Sequence, residues 1–318
     1  MIPKEFHDTL NVMRKIKGLD IFLDGEDVGK KFRSYVEREE GSDSMDMKNS
    51  FAYTLQASRN LPFSIEREEG FLILGKKENE GTVVVPNYFM SENELRRVVR
   101  QIRDYLWAPV ILKNVSPVDV QRLKKIGFDT YQEGKEWSKE SPYDDQTYPQ
   151  QIISIPALIE HRGSEFSEVR KELNHNTDVI AQTSLESYND LEHLERLEEL
   201  CKKQEKEIPG FLEAHQPFLR HIRVKGIKQF VVKVDEKVEG LAVFDKISER
   251  CAAFNACVHN TKIPFLSTTI AYLAACEALR EGYLYFNLQG SETEGLDKWK
   301  RKFNPVKTIE KTHLIYRG

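Results

Sequence analysis

The same order of predicted elements occurs twice along this chain, and this repetition limits the possible folds more than any other feature. The first copy contains three short apolar or alternating strands, a helix, a strand, a second helix and a last strand: 63–66, 71–75, 82–85, 91–106, 109–115, 116–127 and 151–155. The second copy contains the same kinds of element in the same order: 229–235, 238–245, 251–258, 264–282, 283–288, 291–300 and 309–316.

Two helix starts in the first copy carry residues that cap helices. Ser91 and Glu94 have the spacing of a capping box, in which the two side chains satisfy backbone N–H groups that have no partner within the helix. Ser116 followed by Pro117 combines an N-cap residue with a proline at the first helical position. Gly127 is placed to end that helix.

The spacing of the two copies supports an architectural repeat. Ser116 lies 25 residues after Ser91, and Ser291, which we take to open a helix, lies 24 residues after Ser267. An antiparallel meander followed by a strand–helix–strand unit predicts an α+β fold with a mixed β-sheet flanked by helices in each copy. We therefore predict two domains, residues 1–155 with a helical lead-in and residues 156–318 with interdomain helices and the active site.

Two helices are predicted in the region between the repeated parts. Phe166, Val169 and Leu173 share one face of a helix over 164–174, and leucines recur every third residue over 191–200. An apolar face of this kind is typical of a helix that packs on a core, and a partner-binding helix is the alternative.

The charge balance and the cysteines limit the class of protein. The chain has 47 Lys and Arg against 51 Asp and Glu, a net charge of −4, which excludes a uniformly basic nucleic-acid coat and allows a local basic patch. No apolar run approaches the ~18–20 residues of a membrane span, and the polar start from Met1 to Leu10 is not a signal peptide. The 4 cysteines lack metal-ligand spacing, so we expect a cytoplasmic protein with buried free thiols and no metal site.

The segment from Phe286 to Pro305 (FNLQGSETEGLDKWKRKFNP) resembles a C-terminal signature of Fem-type peptidyltransferases and of the soluble domain of lysyl-phosphatidylglycerol synthetases. That signature is a strand, a glycine-containing turn, Gly-Leu, an aromatic residue, Lys, Phe and Pro. The positions that fill it are Gly295, Leu296, Trp299, Lys300, Phe303 and Pro305. The stretches 71–75, 109–128 and 162–174 are similar to other parts of the same family, so the resemblance covers roughly residues 20–315.

The resemblance implies tandem GNAT acyltransferase units, with the donor and acceptor sites in the C-terminal unit. It also implies an aminoacyl-tRNA donor, whose ester an amine or hydroxyl acceptor attacks; a small molecule, a peptide or a lipid head group would supply that acceptor. Two departures count against parts of this picture. Relatives that act on lipid carry a transmembrane region ahead of this part, and this sequence shows none, which counts against a lipid acceptor. The interdomain helix of the relatives is strongly basic, whereas here Glu165, Glu168 and Glu172 offset its positive charge.

An ordinary acyl-CoA site needs a glycine-rich turn that opens a helix, because backbone N–H groups must approach the pyrophosphate closely. The corresponding segment, Asn260 to Ser267, contains no glycine, and Pro264 removes one N–H group. The sequence therefore argues against an ordinary acetyl-CoA site, although a donor can be held in another way. We expect no permanently bound cofactor.

Three residues are candidates for the chemistry. Lys300 can stabilise negative charge that develops on the carbonyl or on the leaving oxygen, and the alternative is a solvated lysine in the basic run 298–302. Asn287 lies in the strand that leads to this run and can orient the acceptor or the ester carbonyl. His259 can act as a general base, and a surface histidine is the alternative. The basic run itself is the candidate local patch for tRNA phosphates.

Six further residues are candidates for substrate binding. Gln289 shares a strand face with Asn287, and Asn255 comes from the adjacent strand of the implied fold. Arg170, with Arg162, can bind a phosphate or carboxylate, or form surface ion pairs. Asn174 belongs to the stretch that resembles the interdomain helix. Tyr285 either stacks on a base or packs in the core.

Three functions follow from these observations. The first is acyl or aminoacyl transfer from a carrier to an amine or hydroxyl. The sequence contains no nucleophile motif that would form a covalent enzyme intermediate, so positioning of the two substrates would supply the rate. The second is an acyl-CoA N-acyltransferase with a non-standard CoA site. The third is a catalytically silent binding protein that keeps the fold.

Overall fold

The structure is a computed structural model. It describes residues 20–22, 25–39, 44–57, 63–67, 70–74, 83–85, 87–106, 109–131, 148–206, 208, 211–220, 226–291 and 293–318. Within these ranges, no helix is long and apolar enough to cross a membrane.

Strands and helices alternate through the chain. The strands are β1 (Asp20–Phe22), β2 (Phe63–Arg67), β3 (Gly70–Leu74), β4 (Val83–Val85), β5 (Asn87–Phe89), β6 (Val110–Val115), β7 (Asp129–Thr130), β8 (Gln150–Ser154), β9 (Thr183–Ser187), β10 (Ile227–Val234), β11 (Lys237–Lys246), β12 (Cys251–His259), β13 (Tyr285–Asn287), β14 (Lys307–Ile309) and β15 (Thr312–Tyr316). The α-helices are α1 (Gly25–Glu39), α2 (Phe51–Ala57), α3 (Glu92–Leu106), α4 (Pro117–Lys125), α5 (Ile155–Glu160), α6 (Ser167–His175), α7 (Thr177–Ala181), α8 (Asp190–Gln204), α9 (Phe211–Arg220), α10 (Leu266–Arg280) and α11 (Glu294–Arg301).

A seven-stranded mixed sheet forms the larger part of the molecule, in the order β14-β8-β13-β12-β11-β10-β9. The β12–β13 pair is parallel and the other neighbours are antiparallel. Phe244, Phe286 and the alanines of α10 pack on one face of this sheet. Val231, Val243 and the helices α8 and α9 cover the other face. Both faces are buried, which explains why these strands read as nearly continuous apolar runs.

Two four-stranded sheets are built mainly from the first half of the chain. The predicted meander is only partly present, because β2 and β3 pair in the sheet β1-β2-β3-β5 whereas β4 belongs to the sheet β4-β6-β15-β7. The C-terminal strand β15 lies between β6 and β7, with Leu314 and Tyr316 in the core of the first half. The predicted strand 309–316 corresponds to two short strands, β14 and β15, which lie in two different sheets.

The strand predicted to end the first domain belongs to the other sheet. β8 pairs with β13 and β14, so its assignment to the first unit is wrong. Its Ile152 and Ile153 are buried on opposite faces of the large sheet. Since β8 and β15 each pair with strands of the other half, the sheets do not divide at residue 155, and the domain limits remain a prediction.

The N-cap positions predicted for Ser91 and Ser116 are confirmed, and the helix starts predicted in the second half are displaced. The hydroxyl oxygens of Ser91 and Ser116 accept hydrogen bonds from the third residue of their helices. Helix α11 instead begins after Thr293, whose Oγ accepts a hydrogen bond from the Leu296 N–H. Ser291 forms a bridge with Tyr148 before that helix. Ser267 lies inside α10, which begins after Phe265.

The helices between the two halves pack as predicted. Phe166, Val169 and Leu173 are buried against the large sheet and α10. In α8, Leu197 and Leu200 are buried and Leu191 is exposed, so only the later part of the leucine repeat faces the core.

Candidate active site

The large sheet opens between β12 and β13. These parallel strands pair over only three residues, from Cys251–Tyr285 to Ala253–Asn287. β12 continues to His259, where it still pairs with β11 on its other side. Among the residues that the structure describes, no strand pairs with the β13-facing edge of β12 beyond Ala253. Backbone groups at such an edge can bind an extended ligand.

A β-bulge at Asn255 shapes this opening. Phe254 pairs with Phe244 and Ala256 pairs with Val243, which leaves Asn255 as the extra residue. Its Nδ2 donates to Asp245 Oδ1 at 2.8 Å. The bulge therefore turns a carboxamide toward the place where the two strands separate.

Gln289 bridges the opening from the other strand. Its Nε2 donates to Asn255 Oδ1 at 3.0 Å, and its backbone has a positive φ of 67°. A left-handed conformation of a non-glycine residue costs ~1–3 kcal/mol and persists where surrounding contacts fix it, often at functional sites. Gln289 and Asn255, two of the predicted binding residues, are thus in contact, and the left-handed backbone of Gln289 holds this contact.

Lys300 supports the turn that carries Gln289. Its side chain is 6% exposed, and its ammonium group donates to the carbonyl oxygens of Gly290 and, at 3.4 Å, Gln289. Lys300 is therefore buried rather than solvated. Its position favours a role in holding this turn.

Asn287 does not point to an open site. It is 0% exposed; its Nδ2 donates to Met45 O at 2.8 Å and Gln150 Oε1 at 2.7 Å, and its Oδ1 accepts from the Gln289 N–H at 2.8 Å. The predicted contact between this amide and a substrate is replaced by internal hydrogen bonds, which fix the start of the Gln289 turn.

A polar network beneath the opening escaped the sequence analysis. Asp245, at 1% exposure, accepts hydrogen bonds from Ser50 Oγ at 2.6 Å and the Ala52 N–H at 3.1 Å, besides Asn255 Nδ2. Burial raises the pKa of Asp245, while the hydrogen bonds and the charge of Arg33 oppose that rise. The only signal in the sequence was an aspartate inside an apolar strand.

His259 lies apart from these amides. It is four residues beyond Asn255 on β12, about 13 Å along an extended strand. A general base must lie within hydrogen-bond reach of the proton that it removes. His259 is therefore too distant to act on a group bound between Asn255 and Gln289.

Within the part of the chain that the structure describes, no hydrogen bond joins Arg162, Arg170 or Asn174 to Asn255 or Gln289. Arg170 Nη1 donates to the carbonyl oxygens of His161 and Gly163, each at 2.6 Å, which fixes the turn after α5. Arg162 and Asn174 are exposed. Tyr285 packs beside Met47, Tyr53 and Cys251. Of the two predicted roles, stacking on a base or packing in the core, its position fits packing.

The basic run 298–302 does not form a cationic surface. Lys298 pairs with Glu294 at 2.8 Å and Arg301 pairs with Asp297 at 2.6 Å. Lys300 donates to two carbonyl oxygens, and Lys302 is buried against Glu172. Each cation has an internal partner, so the predicted patch for tRNA phosphates is not supported.

One group of side chains in the described ranges has the geometry of metal ligands, namely Glu186, Glu192 and His193. The Asn189 N–H donates to His193 Nδ1 at 3.0 Å, so the neutral ring carries its proton on Nε2, facing the two carboxylates. A metal ion would need the lone pair of Nε2. The group is better explained as an acid–histidine contact at the start of α8.

The four cysteines are free thiols. Cys201 and Cys251 are buried, and Cys257 and Cys276 are partly buried. Burial raises the pKa of Cys201, Cys251 and Cys257 to about 12. Thiols with such pKa values are poor nucleophiles at neutral pH, which agrees with the absence of a nucleophile motif in the sequence.

No protein-family model matches the chain, and no curated protein matches it. Solved structures do. A conserved protein of unknown function from Bacteroides thetaiotaomicron is 15% identical with a TM-score of 0.72, over 94% of this chain and 99% of that chain. The C-terminal domain of a putative lysylphosphatidylglycerol synthetase from Agrobacterium fabrum is 13% identical with a TM-score of 0.58, over 93% and 92%. A tandem GNAT protein from the clavulanic acid biosynthesis pathway is 12% identical with a TM-score of 0.53, over 93% and 98%.

The chain has a GNAT acyltransferase-like fold. This confirms the predicted α+β class and, at the level of the fold, the resemblance seen in the sequence. At these identities the likeness concerns the fold alone, and function must be argued from the site.

Proposed function

We propose that the protein transfers an acyl or aminoacyl group from a carrier to an amine or hydroxyl acceptor. The observation that carries this proposal is the separation of β12 from β13 beside the start of α10. The unpaired edge of β12 can hold an extended carrier arm by backbone hydrogen bonds, and the carboxamides of Asn255 and Gln289 lie where that arm would end.

In the proposed step, the nitrogen or oxygen of the acceptor attacks the acyl carbonyl carbon. A C–N or C–O bond forms, the ester or thioester bond breaks, and the acceptor's proton leaves with the alcohol or thiol of the carrier. Gln289 Nε2 donates to Asn255 O at 3.4 Å and Asn255 Oδ1 at 3.0 Å in the free protein, and in the proposed step one of these N–H groups turns to the carbonyl oxygen as it gains negative charge. Lys300 acts as a positioning residue through the 289–290 turn.

The donor is tested directly by incubating the protein with pools of acyl-CoA and, separately, of aminoacyl-tRNA, each with a mixture of amine acceptors. We expect loss of the thioester or the ester, depending on the donor class, with the acyl group recovered on an acceptor. Folded protein that consumes neither donor would contradict the proposal. That result would favour the silent binding protein, for which the fully bonded side chain of Asn287 is the supporting observation.

Gln289→Asn is expected to lower kcat by about 10²-fold, the usual effect of removing one donor to a developing oxyanion. Asparagine tolerates the left-handed backbone at this position, but its side chain is one methylene shorter and withdraws the amide from the opening. Turnover of the donor identified above is the measurement. Gln182→Asn, on an exposed glutamine, is the control, and equal kcat values for the two variants would remove Gln289 from the mechanism.

Lys300→Met is expected to lower kcat by roughly 10-fold through movement of the Gln289 turn, because two carbonyl oxygens lose a charged donor. Lys298→Met, two residues earlier on the exposed face of α11, should leave kcat unchanged. If Lys300 acts through Gln289, the Gln289→Asn/Lys300→Met double variant will be no slower than Gln289→Asn alone. Additive losses would instead indicate direct contact of Lys300 with the reacting atoms.

A further inference from the structure

Backbone groups of β12 point into the opening beyond the end of its pairing with β13. The backbone groups of successive residues in a strand point alternately to its two neighbours. The Asn260 N–H donates to Glu239 O of β11 at 2.8 Å, so the backbone groups of His259, one residue earlier, point to the opposite edge. The same alternation directs the backbone groups of Cys257 to that edge. The opening is therefore lined by several backbone donors and acceptors of one strand.

Side chains contact these backbone groups in place of a neighbouring strand. Gln289 Nε2 lies 3.4 Å from Asn255 O, and His259 Nδ1 lies 3.4 Å from Cys257 O. Both contacts are longer than an ordinary N–H···O hydrogen bond. The His259 N–H donates to Gln204 Oε1 at 3.2 Å. The bond to Gln204 is therefore the shortest of these three contacts along the edge.

Gln204 reaches this edge from the face of the sheet opposite to α10. It is the last residue of α8, whose Leu197 and Leu200 pack in one core with Val258 of β12. Gln204 is only 5% exposed. A buried carboxamide requires hydrogen-bond partners, and the His259 N–H is one that holds Gln204 at the edge. A ligand group that accepts a hydrogen bond from the His259 N–H must therefore take the place of Gln204 Oε1.

We propose that Gln204 is a specificity-determining residue, which leaves the His259 N–H only for a carrier arm that brings its own carbonyl group there. This inference rests on the proposed function, because it concerns the same edge. Asn255 O and Cys257 O accept hydrogen bonds and the His259 N–H donates one, so an arm with secondary amides matches the edge. His259 lies about 13 Å beyond Asn255 along β12, so an arm with a single amide ends earlier and leaves Gln204 in place.

The test compares the binding of two thiols that carry no acyl group and cannot be turned over. N-acetylcysteamine has one amide, and pantetheine extends the same chain to a second amide. Proton–nitrogen NMR titration gives the affinity of each thiol and, through the backbone signals of 255–259, its location. We expect Gln204→Ala to bind pantetheine about 5-fold more tightly than the wild type, since the ligand no longer displaces a hydrogen bond. Its affinity for N-acetylcysteamine should not change. Gln182→Ala, the same substitution at an exposed glutamine, should change neither affinity.

Three results would overturn the proposal: a folded Gln204→Ala variant with no gain for pantetheine, an equal gain for both thiols, or pantetheine that shifts signals away from 255–259. If Gln204→Ala does not fold, the wild type supplies the readout. Pantetheine should then shift the side-chain amide signals of Gln204 and N-acetylcysteamine should not, and the lack of this difference also overturns the proposal. Donor pools that stay unconsumed while pantetheine displaces Gln204 would reject the transfer reaction and keep this inference, so the two proposals can fail separately.

Discussion

Replacing Asp245 with alanine is expected to lower the free energy of unfolding by about 3–5 kcal/mol. Three donors converge on this carboxylate, from Ser50 Oγ, the Ala52 N–H and Asn255 Nδ2. Each buried donor that loses its acceptor costs ~1–3 kcal/mol. Ser50 Oγ also lies 3.2 Å from Asn255 Oδ1 and can turn to it, which keeps the expected total below the sum of three full losses.

Urea unfolding followed by circular dichroism measures this effect. Asp178→Ala, at an exposed aspartate of α7, is the control and should change the free energy by less than ~1 kcal/mol. Because the Asp245 contacts join residues 50–52 to β11 and β12, the variant should also increase proteolysis near residue 50. A loss similar to that of the control would show that the network contributes little to stability.

Acidification from pH 6.5 to pH 4 is expected to remove about 3 kcal/mol of stability through His215 alone. Burial lowers the pKa of His215 from 6.5 to about 4, against the opposing effects of the Phe211 carbonyl and Glu205. The unfolded chain binds a proton below pH 6.5, whereas the folded chain does not until about pH 4. Stability is therefore complete above pH 6.5 and falls as the pH decreases through this window.

The free energy of unfolding measured from pH 4 to pH 8 tests this expectation. His215→Phe removes the titrating ring in a place where Phe211 already stacks on it, with ring centres 4.0 Å apart. The difference between the wild-type and His215→Phe profiles isolates the contribution of His215 from that of the carboxylates. His175→Gln, at an exposed histidine, should keep the wild-type slope, and an unchanged slope in His215→Phe would contradict the assignment.

Local sequence signals predicted most elements of the fold. The alternating or apolar runs that became β2, β3, β10, β11 and β12 lie within a few residues of their predicted bounds. Ser91 and Ser116 were identified correctly because a cap depends on residues that are neighbours in sequence. The helix start predicted at Ser291 was wrong because Thr293, two residues later, caps that helix.

The candidate site was predicted only in part. Asn255, Gln289 and Lys300 do form one connected group, and the fold implied by the resemblance had placed the first two on neighbouring strands. The buried state of Asn287 was not predicted, because its partner Met45 is distant in sequence. The separation of His259 from Asn255 follows from their four-residue spacing on one strand, which the sequence analysis did not use.

Alternating strands and helices could be predicted from the sequence, since hydrophobic period and helix caps are local properties. Strand pairing could not, because the pattern of a strand shows which of its faces are buried but not which strand lies beside it: β8 and β15 each pair in the sheet of the other half. The positions of charged side chains likewise depend on tertiary packing. The acids of 162–174 seemed only to dilute a basic helix, and packing turned Glu172 inward onto Lys302, at the start of α10.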